Sequence, residues 1–506
     1  MSVFKFLGFK AETASAVWQP LLWGGLLHLL MSCVVQLSPD EAHYGLYATH
    51  LDWSYYDHPP MVGWLQWPWA MGIGSDVAMR CWPMSIWILT GWGLVRLSDH
   101  LYPPLAAFRI WGVRIDLLIF VLSPLPHLLG FALVPDTVLM GILVWTMNLT
   151  WAMCQTSRRI TWTEWLGLGL LLGLAGLTKY TAILLALGAM LCLLHAHGLG
   201  LLKQKGPWCA VLVALLCITP VVAWNAIHDW ASFTYQLNHA QGGRTWSGVR
   251  VIGFAVTIIV SMGLILPVAI AGSLKTPALN ANGSMSPHWF SVYWTVPGLL
   301  LFLWLSGGGS TLPHWAVPFV VALMPCSAWG LVKQWPQWSS FQAWTLRIQA
   351  LLMVVFFAVV LSGGMAEQGE QQTSLPGQDD IPAVKNPFAD LFGWQQAALR
   401  AQQLAAEQHA STLAVMNWTL ASRVAWYARP WPVKVIFSHQ DQFDLWFGKV
   451  QPTDKVLVLD WSIMSFKPPV SSEQFKRCEF LDQMPVIHAG RQISHFNFLI
   501  CEGWSE

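Results

Sequence analysis

The sequence predicts a mostly α-helical, polytopic membrane protein with about eleven transmembrane helices and a small C-terminal α/β domain outside the cytoplasm. Composition comes first. Of 506 residues, 55% are hydrophobic and only 10% charged, and the mean hydropathy is +0.47. A soluble globular chain carries roughly 25% charge. Second, apolar segments recur near residues 14–37, 77–97, 109–131, 137–154, 164–178, 181–197, 209–225, 249–271, 289–305, 313–331 and 346–363. Third, beyond residue 363 the chain turns polar and its hydrophobic period changes.

Lys5 and Lys10 precede the first apolar run. That run is too long for a signal-peptide core and lacks a small-x-small cleavage site, so it reads as an uncleaved first helix. Residues 38–76 form the first outer loop. Orientation follows from the cationic residues of the short loops. Lys5, Lys10, Arg158, Arg159, Lys203, Lys205, Lys275, Lys333 and Arg347 all fall on one side, which is therefore cytoplasmic. Asp40, Glu41, Asp57, His58, Asp136, Lys179, His228, Asp229, His239, Arg244 and His314 fall near the opposite side, facing the periplasm or a lumen. The expected division is a transmembrane domain at 1–363, a Gly-, Pro- and Gln-rich linker at 364–387, and an α/β domain at 388–506. In the last of these, 391–408 reads as an amphipathic helix, 412–417, 433–437 and 455–459 as strands, and 420–427 as a further helix.

The 33 Trp residues fit a membrane interface, where the indole ring is half apolar and its N–H is wet. The nine cysteines show no CxxC metal spacing. Seven lie in or beside apolar spans as small hydrophobes. Cys478 and Cys501 lie in the polar C-terminal region, where a position outside the cytoplasm would permit a disulfide. A net charge of +1 without a basic tract gives no sign of a nucleic-acid partner. There is no internal repeat, P-loop, GxGxxG or GxSxG.

The densest chemistry lies at 39–64, PDEAHYGLYATHLDWSYYDHPPMVGW. Ionisable groups facing lipid would each cost several kcal/mol, so this loop faces water and is the candidate active site. Asp40 and Glu41 are adjacent carboxylates, suited to a general base or a metal ligand; Ser38-Pro39-Asp40-Glu41 also reads as a helix start with acid in its first turn. Asp57 and His58 stand before Pro59-Pro60, which stiffens their presentation for an ion or a phosphate, or simply for a rigid loop. Asp136, after Val134-Pro135, serves either as a helix cap or as a second site carboxylate. Lys179 either snorkels to the interface or binds a lipid phosphate. His239 and Arg244, in a long outer loop, are candidates for metal and phosphate contact. Gly307-Gly308-Gly309 before Leu312-Pro313-His314-Trp315 reads as a flexible loop at a substrate gate.

Together, DEAHYGLYATHLDW, YYDHPPMVGW, VPDTVLM, GLAGLTKYTAILL, WNAIHDWASFTYQL and LPHWAVPF resemble the bacterial glycosyltransferase family 39 proteins over about residues 14–335. These belong with the protein O-mannosyltransferases and lipid A aminoarabinose transferases, and the resemblance implies their GT-C fold. It implies transfer of a sugar from a polyprenyl-phosphate donor to a lipid, glycan or protein acceptor, at the outer face of the cytoplasmic (inner) membrane. It makes Asp40 the expected catalytic carboxylate, with Glu41 and Asp136 beside it. It makes Asp57 a residue that helps to hold a metal or the donor; with the reading of the residues themselves, Asp57 and His239 are the candidate ligands of a divalent ion (Mg, Mn or Zn), and His58, Lys179 and Arg244 the candidate donor-phosphate contacts. The chain departs from the aminoarabinose transferases where they carry an Arg shortly after the acid pair and a Lys before Pro-Pro; here those places hold Ala42-His43 and His58.

The mechanism these residues allow is a single inverting displacement. Asp40 deprotonates the acceptor hydroxyl, which attacks the anomeric carbon opposite the phosphate. The rival readings are a transporter or flippase of a lipid-linked sugar and a non-catalytic accessory subunit. A transporter concentrates ionisable groups near mid-membrane, whereas here they crowd one rim.

Overall fold

The computed structural model describes residues 11–241, 245–275, 285–309, 311–364, 388–436, 440–465 and 474–505. The chain divides into two compact units that do not follow chain order. The first comprises Met1–Leu30, Asp52–Leu65 and Arg80–Met353; the second comprises Met31–Leu51, Gln66–Met79 and Val354–Glu506. The residues expected as a single outer loop are thus divided between them. The expected linker, apart from Gly364, lies outside the described residues.

The first unit is helical. On helix Lys205–Ile227, Val211, Leu212, Leu215 and Leu216 point outward with 47–60% of their surface exposed. Such a helix is stable where its surroundings are hydrocarbon. Four helices are long and apolar enough to cross a membrane: Tyr180–His197, Lys205–Ile227, Pro287–Gly308 and Met324–Leu361. The number is six if two bent pairs each count as one span, and these searches cover only the described residues. One pair, Pro124–Phe131 with Pro135–Met153, bends by 111°. Val134 precedes Pro135 and is held extended, at φ −119° and ψ 165°. The other, Gly248–Met262 with Ile265–Leu274, bends by 102°. Gly263 at that break has φ +102°, which a side chain would strain.

Several expected spans are not single helices. The 109–131 segment starts as a hairpin of β1 (Arg109–Ile110) and β2 (Val113–Arg114), followed by helices Ile115–Val121 and Pro124–Phe131. The hairpin carries charge that a continuous span would have to bury unpaired. Here Arg114 pairs with Asp116 at 2.7 Å and with Asp99 at 2.7 Å. The 313–331 segment is broken into a 3-10 turn Pro313–Ala316, helix Val317–Val321 and the start of Met324–Leu361, with prolines at 313, 318 and 325. The 346–363 span is the second half of Met324–Leu361, which kinks at Trp338 shortly after Pro336. Close packing elsewhere depends on small residues. A side chain at Gly169 would come within 2.5 Å of the Ala210 carbonyl, and one at Gly173 within 2.4 Å of Cys217, so Trp162–Gly176 lies tightly on Lys205–Ile227.

The second unit is built on a five-stranded sheet: β3 (Thr412–Val415), β4 (Val433–Val435), β5 (Lys455–Trp461), β6 (Phe475–His488) and β7 (Arg491–Trp504), in the order β4-β3-β5-β7-β6. β3 runs parallel to β4 and β5, while β7 is antiparallel to β5 and β6. Ala414, Val456, Val458, Phe475 and Cys501 form its core. Helix Trp394–Glu407 begins three residues later than the sequence predicts, after Gly393 at φ +87°. Helix Trp418–Tyr427 lies where 420–427 was expected, capped by the Asn417 side chain on Leu420 N–H. Cys478 and Cys501, directly opposite on β6 and β7, form a disulfide. A second core gathers Leu37, Ala42, Ala48, Ala70, Met79 and Trp426, so helix Pro39–Thr49 belongs to this unit's packing.

Candidate active site

In the first unit, the break before Pro135 sets the start of helix Pro135–Met153. Val134 is the N-cap, so Asp136 lies in the first turn rather than at the cap. Its carboxylate is 2% exposed and receives both hydrogen bonds of a Lys179 fork, with Nζ 2.8 Å from each oxygen. Lys179 sits where helix Trp162–Gly176 has ended, and its extended backbone turns the side chain inward to 8% exposure. It does not snorkel. His314 Nε2 stands 3.8 Å from the same Asp136 oxygen, and the Lys179 ammonium lies 4.9 Å from the Trp315 ring centre. A buried ion pair survives only with close geometry and added partners. This one has both.

The 52–65 segment is held in the same unit by helix Ala231–Gln241. Ser232 Oγ donates to the Tyr55 carbonyl at 2.7 Å, Gln236 Nε2 donates to the Asp57 carbonyl at 2.5 Å, and the Tyr235 and Tyr56 rings lie 5.1 Å apart. His239 is the next position on that helical face by the 3.6-residue period. Its side chain, and all of Arg244, lie outside the described residues. Asp52 accepts a 2.8 Å bond from Trp224 Nε1, while Met61 N–H reaches the Leu177 carbonyl, two residues before Lys179. Tyr55 is fully buried, which pushes its phenol above the usual range and keeps it neutral. Asp57 and His58 are half-buried.

In the second unit, Ser38 caps helix Pro39–Thr49 with a capping box. Glu41 N–H donates to Ser38 Oγ at 3.3 Å, and Ser38 N–H donates to Glu41 Oε2 at 3.0 Å. Glu41 is 4% exposed, so its carboxylate serves the helix start. Asp40 is half-buried in the first turn, where the helix dipole favours its charge. Helix Trp418–Tyr427 packs against this helix. Ser422 Oγ lies 3.2 Å from His43 Nδ1, Leu37 N–H donates to Tyr427 Oη at 2.9 Å, and Tyr427 donates to Asp76 at 2.5 Å. Arg423, 1% exposed, binds the Asp390 carboxylate and stacks 3.7 Å above Trp394. Burial works against its charge, while Asp390 and, more weakly, Asp40 support it.

Within the first unit, Asp136 and Lys179 come together, and His314 joins them. Its place in the cluster had no spacing signal; only its position at the same rim pointed to it. Within the second, Asp40 and Glu41 share a first turn, and Glu41 is the one in the capping box. Among the described residues, no group of three or more His, Cys, Asp or Glu draws together as a metal site. The partnership of the Asp40 helix with the C-terminal helix at 418–427, more than 370 residues away, left no mark in the sequence.

Residues 57–224 match the family model described as dolichyl-phosphate-mannose-protein mannosyltransferase. The lipid A galacturonosyltransferase RgtD of Rhizobium johnstonii is 24% identical over 304 residues, covering 59% of this chain and 61% of that protein. The chain therefore matches less than two thirds of the length of this curated relative. Among solved structures, ArnT from Cupriavidus metallidurans in its apo state superposes with a TM-score of 0.60 at 14% identity, over 95% of this chain and 97% of that one. The form bound to undecaprenyl phosphate gives the same TM-score of 0.60, over 96% and 98%. The chain is thus similar to this lipid A galacturonosyltransferase in sequence and shares the fold of the ArnT structures.

Proposed function

We propose that this chain transfers a sugar, with inversion, from a polyprenyl-phosphate donor to a glycolipid acceptor at the outer face of the inner membrane. The observation that carries this reading is the buried Asp136–Lys179 pair with His314 beside it, because its two halves lie inside the matched stretch 57–224. With His314 beside it, the pair gathers two groups able to carry positive charge, which a phosphate with growing negative charge needs. The lipid-linked donor is supported by the undecaprenyl phosphate named with the ArnT structure, and the glycolipid acceptor by the name of RgtD.

In the proposed reaction Lys179, His58 and Arg244 receive the donor phosphate. Asp40 takes the proton of the acceptor hydroxyl as its oxygen bonds to the anomeric carbon and the bond to phosphate breaks. Asp136 fixes Lys179. The leaving phosphate is already anionic, so charge stabilisation matters more than protonation. A divalent ion at Asp57 and His239 would add positive charge there; His239 lies on the helical face that meets the Asp57 carbonyl. Eleven spans would put the acid helix and the C-terminal domain in the periplasm, a side that the Cys478–Cys501 pairing favours.

The test is the purified protein in vesicles with a panel of polyprenyl-phosphate sugars and a lipid A acceptor, with and without chelator. Sugar transfer with at least one donor is expected. Movement of donor from one leaflet of the vesicle to the other without any product would instead support the transporter. Loss of transfer on chelation would support the ion, and full retention would discard it.

A further inference from the structure

The second unit carries a cluster of aromatic rings that the proposed reaction does not use. The His43 ring is 3% exposed and sits at its centre, with ring centres 5.0 Å from Tyr47, 5.4 Å from Trp418, 5.9 Å from Phe443 and 6.0 Å from Trp446. Ser422 fixes its Nδ1 edge. His50, two turns further along the same helix, stacks on Trp446 at 4.9 Å and 23°. Burial lowers its pKa, favouring the neutral ring. Tyr47 is fully buried, whereas Trp418 is 37% exposed and Trp446 half-buried. Both indoles pack against His43 and keep part of their surface exposed.

A fixed, partly exposed indole matches the C–H face of a pyranose ring, and its edge leaves the sugar hydroxyls to polar neighbours. A polar neighbour is present. Asn417 Nδ2 donates to the Met464 thioether at 3.1 Å, a weak acceptor that a hydroxyl outbids. Position gives the shelf its occupant. His43 lies three residues after Asp40, about 4.5 Å along the helix axis at the α-helical rise, and His50 about 15 Å. A sugar joined to the one that reacts at Asp40 falls within that range.

We propose that Trp418 and Trp446, with Asn417, form a binding shelf for a sugar ring of the glycolipid acceptor. This rests on the function proposed above for the choice of acceptor, though not for the binding itself. It assigns acceptor recognition to the C-terminal part of the chain.

The experiment is saturation-transfer NMR on the full-length protein in detergent, with the methyl glycosides of glucosamine, galactose and mannose as probes. Saturation of the C–H protons on one ring face is expected for at least one glycoside. The signal should drop about tenfold in Trp418→Ala and in Trp446→Ala, the factor carried by roughly 1.4 kcal/mol. Trp418→Phe and Trp446→Phe should keep much of it, and they decide the matter if the alanine variants do not fold. No saturation with any glycoside, or an undiminished signal in the variants, overturns the shelf. Transfer assays on the same preparations separate the two proposals. Saturation without transfer by the wild type leaves the shelf and removes the transferase. Transfer with an unchanged acceptor KM in the alanine variants does the reverse.

Discussion

Lys179 and Asp136 hold each other with side chains only 8% and 2% exposed, and a pair this dry is costly to split. Lys179→Met leaves a buried carboxylate without its cation and should destabilise the protein by about 3–5 kcal/mol, read as a lower unfolding temperature. The double variant Lys179→Met/Asp136→Leu removes both charges, so most of that stability should return. Transfer should not return, staying at least about a hundredfold down, because the phosphate has lost its cation. A double variant that regains transfer would reduce the pair to scaffolding. Both residues stood out in the sequence as ionisable groups at the ends of apolar runs. Their pairing did not, since no spacing rule connects positions 43 apart. Glu41 is the converse: Ser38-Pro39-Asp40-Glu41 already read as a helix start with acid in its first turn, and in the structure the Glu41 carboxylate completes a capping box there.

Helix Pro39–Thr49 is buried along most of its length, and the Trp426 ring of helix Trp418–Tyr427 packs against it at Gly45. A Cβ at Gly45 would meet the Trp426 ring at 2.9 Å. Gly45→Val should therefore push the two helices apart, costing about 1–3 kcal/mol and slowing transfer. Gly72→Ala, in open space, is the control that should change neither. Equal behaviour of the two variants in unfolding and transfer assays would show that this packing does not matter to the reaction. Elements with a clean period were legible: β3, β4, β5 and the helices at 394–407 and 418–427 lie close to where apolar patterning put them. β6 and β7 were not. β6 is an edge strand with both faces largely exposed and Pro485 within it, so it lacks the period that marks a half-buried strand. The 109–131 run was apolar enough for a helix, but Arg109, Gly112, Arg114 and Ser123-Pro124 turn it into a hairpin and two short helices.

For the whole molecule, composition and the positions of the charged loops gave the membrane class and the apolar helices, and the motifs at 39–64 and 134–180 gave the relatives. The division into units was hidden, because it depends on contacts between segments far apart in the chain. The acid helix groups with the C-terminal sheet, while the Asp57-His58 stretch groups with the membrane helices that hold Asp136 and Lys179. In the proposed reaction Asp40 is the residue that takes the acceptor's proton. The most direct measurement is single-turnover sugar transfer by Asp40→Asn beside the wild type, in the same vesicles at saturating polyprenyl-phosphate sugar. Loss of a general base predicts a rate lower by about 10²- to 10⁴-fold, with donor binding and unfolding temperature unchanged. Transfer by Asp40→Asn at the wild-type rate would contradict the account.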